Sequence, residues 1–456
     1  MQNRLTDVLS GQKADYLEVR LEEFEANNVR FQGKDLERIS SAQEKGGNVR
    51  ALVKGRWGFV TFNRWEELEE KIKQAIEIAT LIGDGEQVST LAPAEPVIEE
   101  LTAGNVRDFR QISLKEKAET MKNYSNIIVN FSPKIQSSIA NYADRYTITH
   151  FANSEGTYIK KESPYLSIHL TAIARDSDDV QMANESIGSN KGYENAERLS
   201  SLAQKAAQRA VNLLQAKNTP GGQYTVILDP ILAGVFIHEA FGHLSEADFL
   251  YEDTRIQKLM TLGKKVASEE LNVVDDGSLP GLLGSSRYDD EGVPTRKNYL
   301  IKKGVLTGRL HSRETAAKMG EPITGNARAI NYHFKPIVRM TNTYIERGKT
   351  PYKKLFDGIK KGIYARHFYG GNTTFEMFTF SAGEGYLIEN GRVTEPLRNI
   401  TLSGNLFETL HHIEGIANDL SIIESGGGCG KGGQSPLPVT FGSPHIRISN
   451  VVVGGR

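Results

Sequence analysis

Two histidines five residues apart, inside a stretch that otherwise reads as apolar helix, constrain this chain more than any other feature. The run is Ile237-His238-Glu239-Ala240-Phe241-Gly242-His243, followed by Leu244-Ser245-Glu246-Ala247-Asp248. Neutral imidazole is the commonest metal ligand, and a carboxylate beside it can serve as a general base. In the zinc-peptidase helix the two histidines stand four apart and share a face. A five-residue step rotates them by about 140°, against about 40° for a four-residue step. A regular helix cannot aim both rings at one ion. One extra residue in the turn, a π-bulge near Gly242, restores the common face, and such bulges are frequent at functional sites. The spacing predicts a metal site on an irregular helix.

Ten histidines in 456 residues give about 0.2 chance pairs at any one spacing, and roughly 0.03 with an acid directly after the first. The competing reading is two core histidines satisfied by backbone carbonyls. A catalytic zinc needs three protein ligands and an open position. Candidates for the third are Glu246, Asp248, another histidine, or Cys429. Glu246 and Asp248 are close enough in sequence to ligate directly or to orient the imidazoles. Cys429 is the one cysteine, and six of the eight residues from 426 to 433 are glycine. Such a loop offers a cysteine no apolar packing, and Lys431 beside it favours the thiolate. Phosphate binding is disfavoured, because Ser425 stands where the phosphate-loop pattern needs glycine and Lys431 is followed by Gly432. A Cys429 nucleophile served by a distant histidine leaves the His-Glu pair without a task and ranks lower.

At this length two domains are the natural expectation. Lys+Arg is 55 and Asp+Glu 56, a net charge of −1, which supplies no field to attract nucleic acid or anionic membrane. The N-terminus lacks an apolar core of signal-peptide length and no apolar run reaches membrane-span length. With a single cysteine there is no intrachain disulfide, so a cytoplasmic setting is expected.

The expected fold is α+β. Residues 14–62 read as strands, with turns at Asn27-Asn28 and around Lys54-Gly55, and Asn63 as the N-cap of a helix running to Leu81. A connector spans 83–107, and a helix spans 113–131. Residues 134–175 read as strands again, turning at Asn153–Gly156, before a helix over 194–216. Strands then a long helix, twice, predict two similar halves. Residues 1–218 thus form an N-terminal α+β domain, and residues 219–456 a β-rich C-terminal domain carrying the metal-site helix. Asp229 is a good N-cap for that helix and Pro230 suits its first position. After residue 270 short strands and glycine turns suggest a partly closed barrel or sandwich, with a short helix over 408–419 and a loop over 319–328.

Five co-linear motifs resemble the TldD/PmbA family of peptidases. They are His-Glu-Ala-Phe-Gly-His-Leu-Ser-Glu-Ala-Asp (238–248), Asp-Asp-Gly-Ser-Leu-Pro-Gly (275–281), Asp-Asp-Glu-Gly-Val-Pro-Thr (289–295), Arg-Met-Thr-Asn-Thr-Tyr (339–344) and Gly-Cys-Gly-Lys-Gly-Gly-Gln-Ser (428–435). The histidine motif places the chain with the TldD branch. The resemblance implies a zinc metallopeptidase with one Zn2+ per chain on His238, His243 and Cys429, and Glu239 as general base. It also implies a homodimer or a heterodimer with a TldE/PmbA-type subunit, cleaving unstructured peptides within an enclosed chamber to which the N-terminal domain contributes. Glu246 and Asp248 are then orienting or substrate-facing groups, and Arg328, Tyr332, His333 and Tyr344 are candidates for an oxyanion donor. A metal-binding but non-catalytic partner subunit, or a regulatory protein, is the alternative.

Overall fold

The computed structural model describes residues 1–82, 88–104, 107–251 and 253–454. Of the connector expected over 83–107, residues 83–87 and 105–106 lie outside the described residues. The fold is α+β, with one large sheet formed by residues before 190 and a barrel and a second sheet formed after 216.

Two antiparallel meanders make six of the seven strands of the first sheet; the seventh, Ile98–Leu101, falls in the expected connector and pairs in parallel with Tyr158–Asp176. Tyr16–Gln32, Asp35–Val53 and Arg56–Phe62 form one, and Ile135–Asn153, Tyr158–Asp176 and Asp179–Ser189 form the other. They join where Tyr16–Gln32 runs antiparallel to Ile135–Asn153, from Glu18 opposite Asn153 to Gln32 opposite Ile139. The helix Leu68–Leu81 follows the first meander and Ser200–Leu213 the second, with Leu114–Val129 between them. Local turns set the registers: Lys54 and Gly55 both take positive φ (48° and 75°), the geometry a two-residue hairpin favours.

Two expected details are corrected. Asn27 and Asn28 lie in the middle of a continuous strand, where Asn27 Nδ2 donates across the sheet to Asp144 at 2.9 Å; the chain turns at Gly33, φ 59°. Asn63 caps no helix. Its Oδ1 accepts from the Tyr332 hydroxyl, and the segment opens instead with a 3-10 turn at Trp65–Glu67.

In the second half, five strands close into a ring. Gly222–Leu228 pairs in parallel with Lys361–Thr374 and antiparallel with Ile446–Gly454. Met377–Glu389 joins Lys361–Thr374 to Ile400–Asn405, and Ile400–Asn405 returns to Ile446–Gly454. Closure leaves these strands no open edge. A six-stranded sheet lies beside the barrel; its order is Val305–Leu306, Lys297–Lys302, Val273–Asp276, Asn342–Ile345, Thr440–Ser443, Ser421–Ile423.

The helix Pro230–Ile237 is buried between the two, against Lys361–Thr374 on one side and Asn342–Ile345 and Thr440–Ser443 on the other. Phe236 meets Phe378 and Phe380 edge-on, at 5.2 and 6.1 Å between ring centroids. Gly234 lets the Phe441 ring approach so closely that a Cβ there would stand 2.8 Å from it.

A helix absent from the sequence reading spans Arg313–Met319; Ser312 and Thr315 form its capping box and Gly320 (φ 63°) ends it. The helix expected over 408–419 is Leu406–His411, followed by the strand Ile413–Ile416. No helix among the described residues is long and apolar enough to cross a membrane.

Candidate metal centre

The site begins where a buried strand hands over to a capped helix. Asp229 accepts from the Leu232 N–H at 2.8 Å and Pro230 occupies the first turn, so the helix starts at a defined residue. Eight residues later its repeat changes. His238–Gly242 forms a π-helical turn, and His243–Ser245 continues as 3-10 helix. The extra residue per turn offsets the five-residue spacing, and the His238 and His243 rings lie 5.4 Å apart, centroid to centroid, at 80° to each other. Gly242 contributes by size rather than by backbone freedom. Its φ is an ordinary −56°, and a Cβ there would stand 2.2 Å from the Met340 sulfur.

Cys429 arrives from 186 residues downstream on the hairpin Gly428–Lys431 and Gln434–Pro438, with its Sγ 3.2 Å from His243 Nε2. Ligand atoms of His238, His243 and Cys429 all fall within 4.8 Å of one another. Glu239 Oε2 lies 3.8 Å from the same His243 Nε2, and its side chain is 41% exposed. His238 and Cys429 are buried. The three candidate ligands therefore line the floor of the site, with the carboxylate at its open rim. The glycine-dense loop does give Cys429 apolar packing, contrary to expectation: it is 4% exposed and part of the core that includes Phe236 and Met340.

Glu246 fixes the second ring. It is fully buried, and its Oε2 takes His243 Nδ1 at 3.0 Å and Lys431 Nζ at 3.0 Å, while Oε1 accepts from the Met340 N–H. Burial alone would raise the Glu246 carboxyl, but Lys431 and His243 bring it down to about 2. Burial likewise opposes charge on His243, yet Glu246 and the Cys429 sulfur push it up to about 11. Cys429 shows the reciprocal effect: burial disfavours the thiolate, and hydrogen bonds from His238 and His243 still bring the thiol down to about 5. Histidines, not Lys431, favour this thiolate. Lys431 serves Glu246 and Asp248 instead. Asp248 is raised by burial, with Lys431 working against the rise.

These residues fit a divalent metal. Two imidazoles and a thiolate are a ligand set that catalytic zinc uses with one position left open. The buried Nδ1 of His238 has no hydrogen-bond partner among the described residues, an arrangement that costs free energy unless something else satisfies the ring. Groups of this kind release protons when a cation takes their place.

The remaining expected residues divide. Arg328 lies behind the hairpin, donating to the Met340 and Pro438 carbonyls at 2.6 and 2.7 Å. Tyr344 sits apart, on a strand whose charged surroundings are Lys297, Asp276 and Glu346. Tyr332 and His333 are not in the cluster either. Both bond Glu44 of the N-terminal sheet, at 2.6 and 2.9 Å, and the Tyr332 ring packs over Gly46. Sequence reasoning missed Arg339, which is wholly buried and donates to the Cys429 and Gln434 carbonyls, fixing the hairpin backbone. Its signal was the Arg-Met-Thr-Asn motif itself, read there only as resemblance. A cavity of about 700 Å3, lined by Arg20, Lys161, Asp290, Arg328 and Leu437, backs onto the hairpin; Leu437 is the cross-strand partner of Cys429.

Two antiparallel meanders lead into a closed β-barrel that bears a cluster of two histidines and a cysteine, and the chain matches a metallopeptidase family along its length. Three profiles of that family match in order: PmbA/TldA metallopeptidase domain 1 at residues 17–79, its central domain at 107–214 and its C-terminal domain at 221–455. The chain belongs to the TldD/PmbA family. It is 47% identical to a Synechocystis metalloprotease over 97% of this chain and 95% of that protein. It is 31% identical to the zinc metalloprotease TldD homolog of Saccharolobus solfataricus over 97% of each. The crystal structure of TldE from Thermococcus kodakarensis superposes with a TM-score of 0.78 at 19% identity, covering 100% of this chain and 99% of that one, a likeness of fold.

Proposed function

We propose that the chain is a zinc-dependent peptidase that hydrolyses unstructured peptides, with His238, His243 and Cys429 as ligands and Glu239 as general base. The observation that carries this reading is the meeting of a thiol and a carboxylate at one ring nitrogen. His243 Nε2 has Cys429 Sγ at 3.2 Å and Glu239 Oε2 at 3.8 Å. A zinc ion held there would supply Lewis acidity, acidifying water and polarising a substrate carbonyl near neutral pH.

The chain's own groups do the rest. Glu239 stands at the solvent side of the cluster, placed to take a proton from water and hand it to a leaving amine. Glu246 holds the Nδ1 side of His243, which leaves Nε2 facing the site. The exposed Gly428 and Gly430 flank Cys429 and leave main chain open to an extended peptide, which favours sequence-tolerant binding. Arg328, the one oxyanion candidate near the hairpin, uses two guanidinium nitrogens on backbone carbonyls and supports the wall of the site. Within this reading the chain works as a homodimer or with a TldE/PmbA-type subunit, in the cytoplasm.

Glu239→Gln tests the assignment. Cleavage of an unstructured, fluorescently labelled peptide should fall by about 10^2- to 10^4-fold, the range of a general base, with zinc content unchanged. Undiminished cleavage would remove Glu239 from the mechanism; no cleavage by the zinc-loaded wild type, alone or mixed with a TldE-type subunit, would leave a metal-binding partner protein.

A further inference from the structure

The hairpin that delivers Cys429 is weakly built. Among the described residues Gly428–Lys431 and Gln434–Pro438 pair only with each other, and the turn between them is Gly432-Gly433, with φ of 57° and 76°. Two isolated strands are marginal on their own. Yet Cys429 Sγ must keep its place against a ring whose residue is 186 positions away. Arg339 grips the hairpin's carbonyls, which fixes its backbone, but among the described residues these hydrogen bonds do not reach the helical segment bearing the histidines.

Lys431 does. It leaves the Cys429 strand two residues on, across an irregularity in the hairpin's register. Its side chain is only 6% exposed, and its ammonium is fully engaged: Glu246 Oε2 at 3.0 Å, Asp248 Oδ1 at 2.5 Å and the Val338 carbonyl at 2.8 Å. The same Glu246 oxygen takes His243 Nδ1. One carboxylate oxygen therefore joins the strand of Cys429 to the ring of His243. Asp248 ties the same ammonium to the next turn of that segment and accepts from the Val338 N–H. Lys431 also lies 4.3 Å over the Phe249 ring.

We propose that Lys431 is a positioning residue for the metal centre, clasping the Cys429 hairpin to the His243 segment through Glu246 and Asp248 and so setting the sulfur-to-imidazole spacing. The proposal rests on the reading that His238, His243 and Cys429 hold a metal. Residues that orient ligands from behind commonly change metal affinity by about 10- to 100-fold when removed. A compact ammonium with three donors suits this three-way contact, and a planar guanidinium does not reproduce it.

The test uses the full chain with Co2+ as a spectroscopic probe, titrated against a competing chelator, in wild type, Lys431→Met, Lys431→Arg and Cys429→Ala. Wild type should bind one Co2+ per chain with a near-ultraviolet sulfur-to-cobalt charge-transfer band. Lys431→Met should bind about 10- to 100-fold more weakly with that band reduced or shifted, and Lys431→Arg should lie between the two. Wild-type affinity and an unchanged band in either Lys431 variant would overturn the clasp while leaving the metal reading intact. A wild type that binds no Co2+, or a Cys429→Ala protein with an undiminished band, would instead overturn the ligand assignment and the clasp with it. Should Lys431→Met fail to fold, Lys431→Arg and Asp248→Asn carry the same comparison, the latter with an expected weakening of a few-fold and its absence counting against the proposal.

Discussion

The two halves of this molecule hold themselves together in different ways. Within each meander the N-terminal sheet is made of neighbours in sequence, hairpin after hairpin, and a buried ion pair ties it to its helix: Lys117 Nζ of Leu114–Val129 meets Asp144 at 2.5 Å with both side chains 1% exposed. The C-terminal half is made of distant partners. Its barrel joins residues 222–228 to 361–374 and 446–454, and its site joins 238–248 to 429–431. Local pairing gives a register that each turn sets for itself, whereas distant pairing lets groups meet that no local element could bring together. The candidate metal centre sits in the second kind of structure, at the place where a helix departs from its regular repeat.

Substitutions in the two halves should therefore separate stability from metal binding. The largest effect is expected from Cys429→Ala: zinc falls to background on metal analysis and peptide cleavage with it, while far-ultraviolet circular dichroism keeps its native shape. Retained stoichiometric zinc would exclude Cys429 as a ligand. Next comes Lys117→Leu, which strands Asp144 with Tyr142 and Asn27 as its remaining partners. Breaking one side of a buried pair costs about 3–5 kcal/mol, so unfolding should shift strongly in denaturant while zinc content per folded chain is kept.

Gly58→Ala is smaller. A Cβ at Gly58 would stand 1.9 Å from the Ala75 carbonyl oxygen, so the helix Leu68–Leu81 must move off its sheet, at about 1–3 kcal/mol. A melting temperature equal to that of wild type would show that the helix docks differently. Lys134→Ala should do least. Its pair with Asp176 is solvent-exposed, and such pairs contribute less than about 1 kcal/mol; a larger change on thermal unfolding would show that the second meander is tied more tightly than its surface suggests.

How far the fold was legible follows the same division. The first meander, the first two strands of the second and the helices after them could be read, because alternation and turn residues are local signals; the strand Asp179–Ser189 was not. Asn27-Asn28 misled for a physical reason: asparagine serves a turn and a cross-strand hydrogen bond with the same amide, and only the partner strand decides between them. Asn63 misled likewise, since its acceptor was claimed by Tyr332, 269 residues away. The helix Arg313–Met319 was legible after all, through Ser312, Thr315 and Gly320, and was overlooked.

At the site, the irregular turn followed from the histidine spacing alone. The third candidate ligand did not; residue chemistry left Glu246, Asp248, another histidine and Cys429 open, and only resemblance preferred the cysteine. What separates them in space is charge. Glu246 and Asp248 are bound to Lys431, which leaves Cys429 as the group that faces both rings. Tyr344 could not be judged from sequence, because which side of its strand faces the cluster depends on a register set by distant neighbours.

The closed ring also has a consequence in time. The strand Gly222–Leu228 leads through Asp229 directly into the histidine-bearing helix, and both of its hydrogen-bonded neighbours are synthesised after it, one of them being Ile446–Gly454. During translation the histidines emerge long before the strands that hold their helix in place, and before Cys429. A growing chain therefore carries the pieces of the cluster without the cluster. Assembly of the site waits on the strand Ile446–Gly454, which is made after every residue of the cluster, so a nascent chain is kept from assembling the site until its barrel can close.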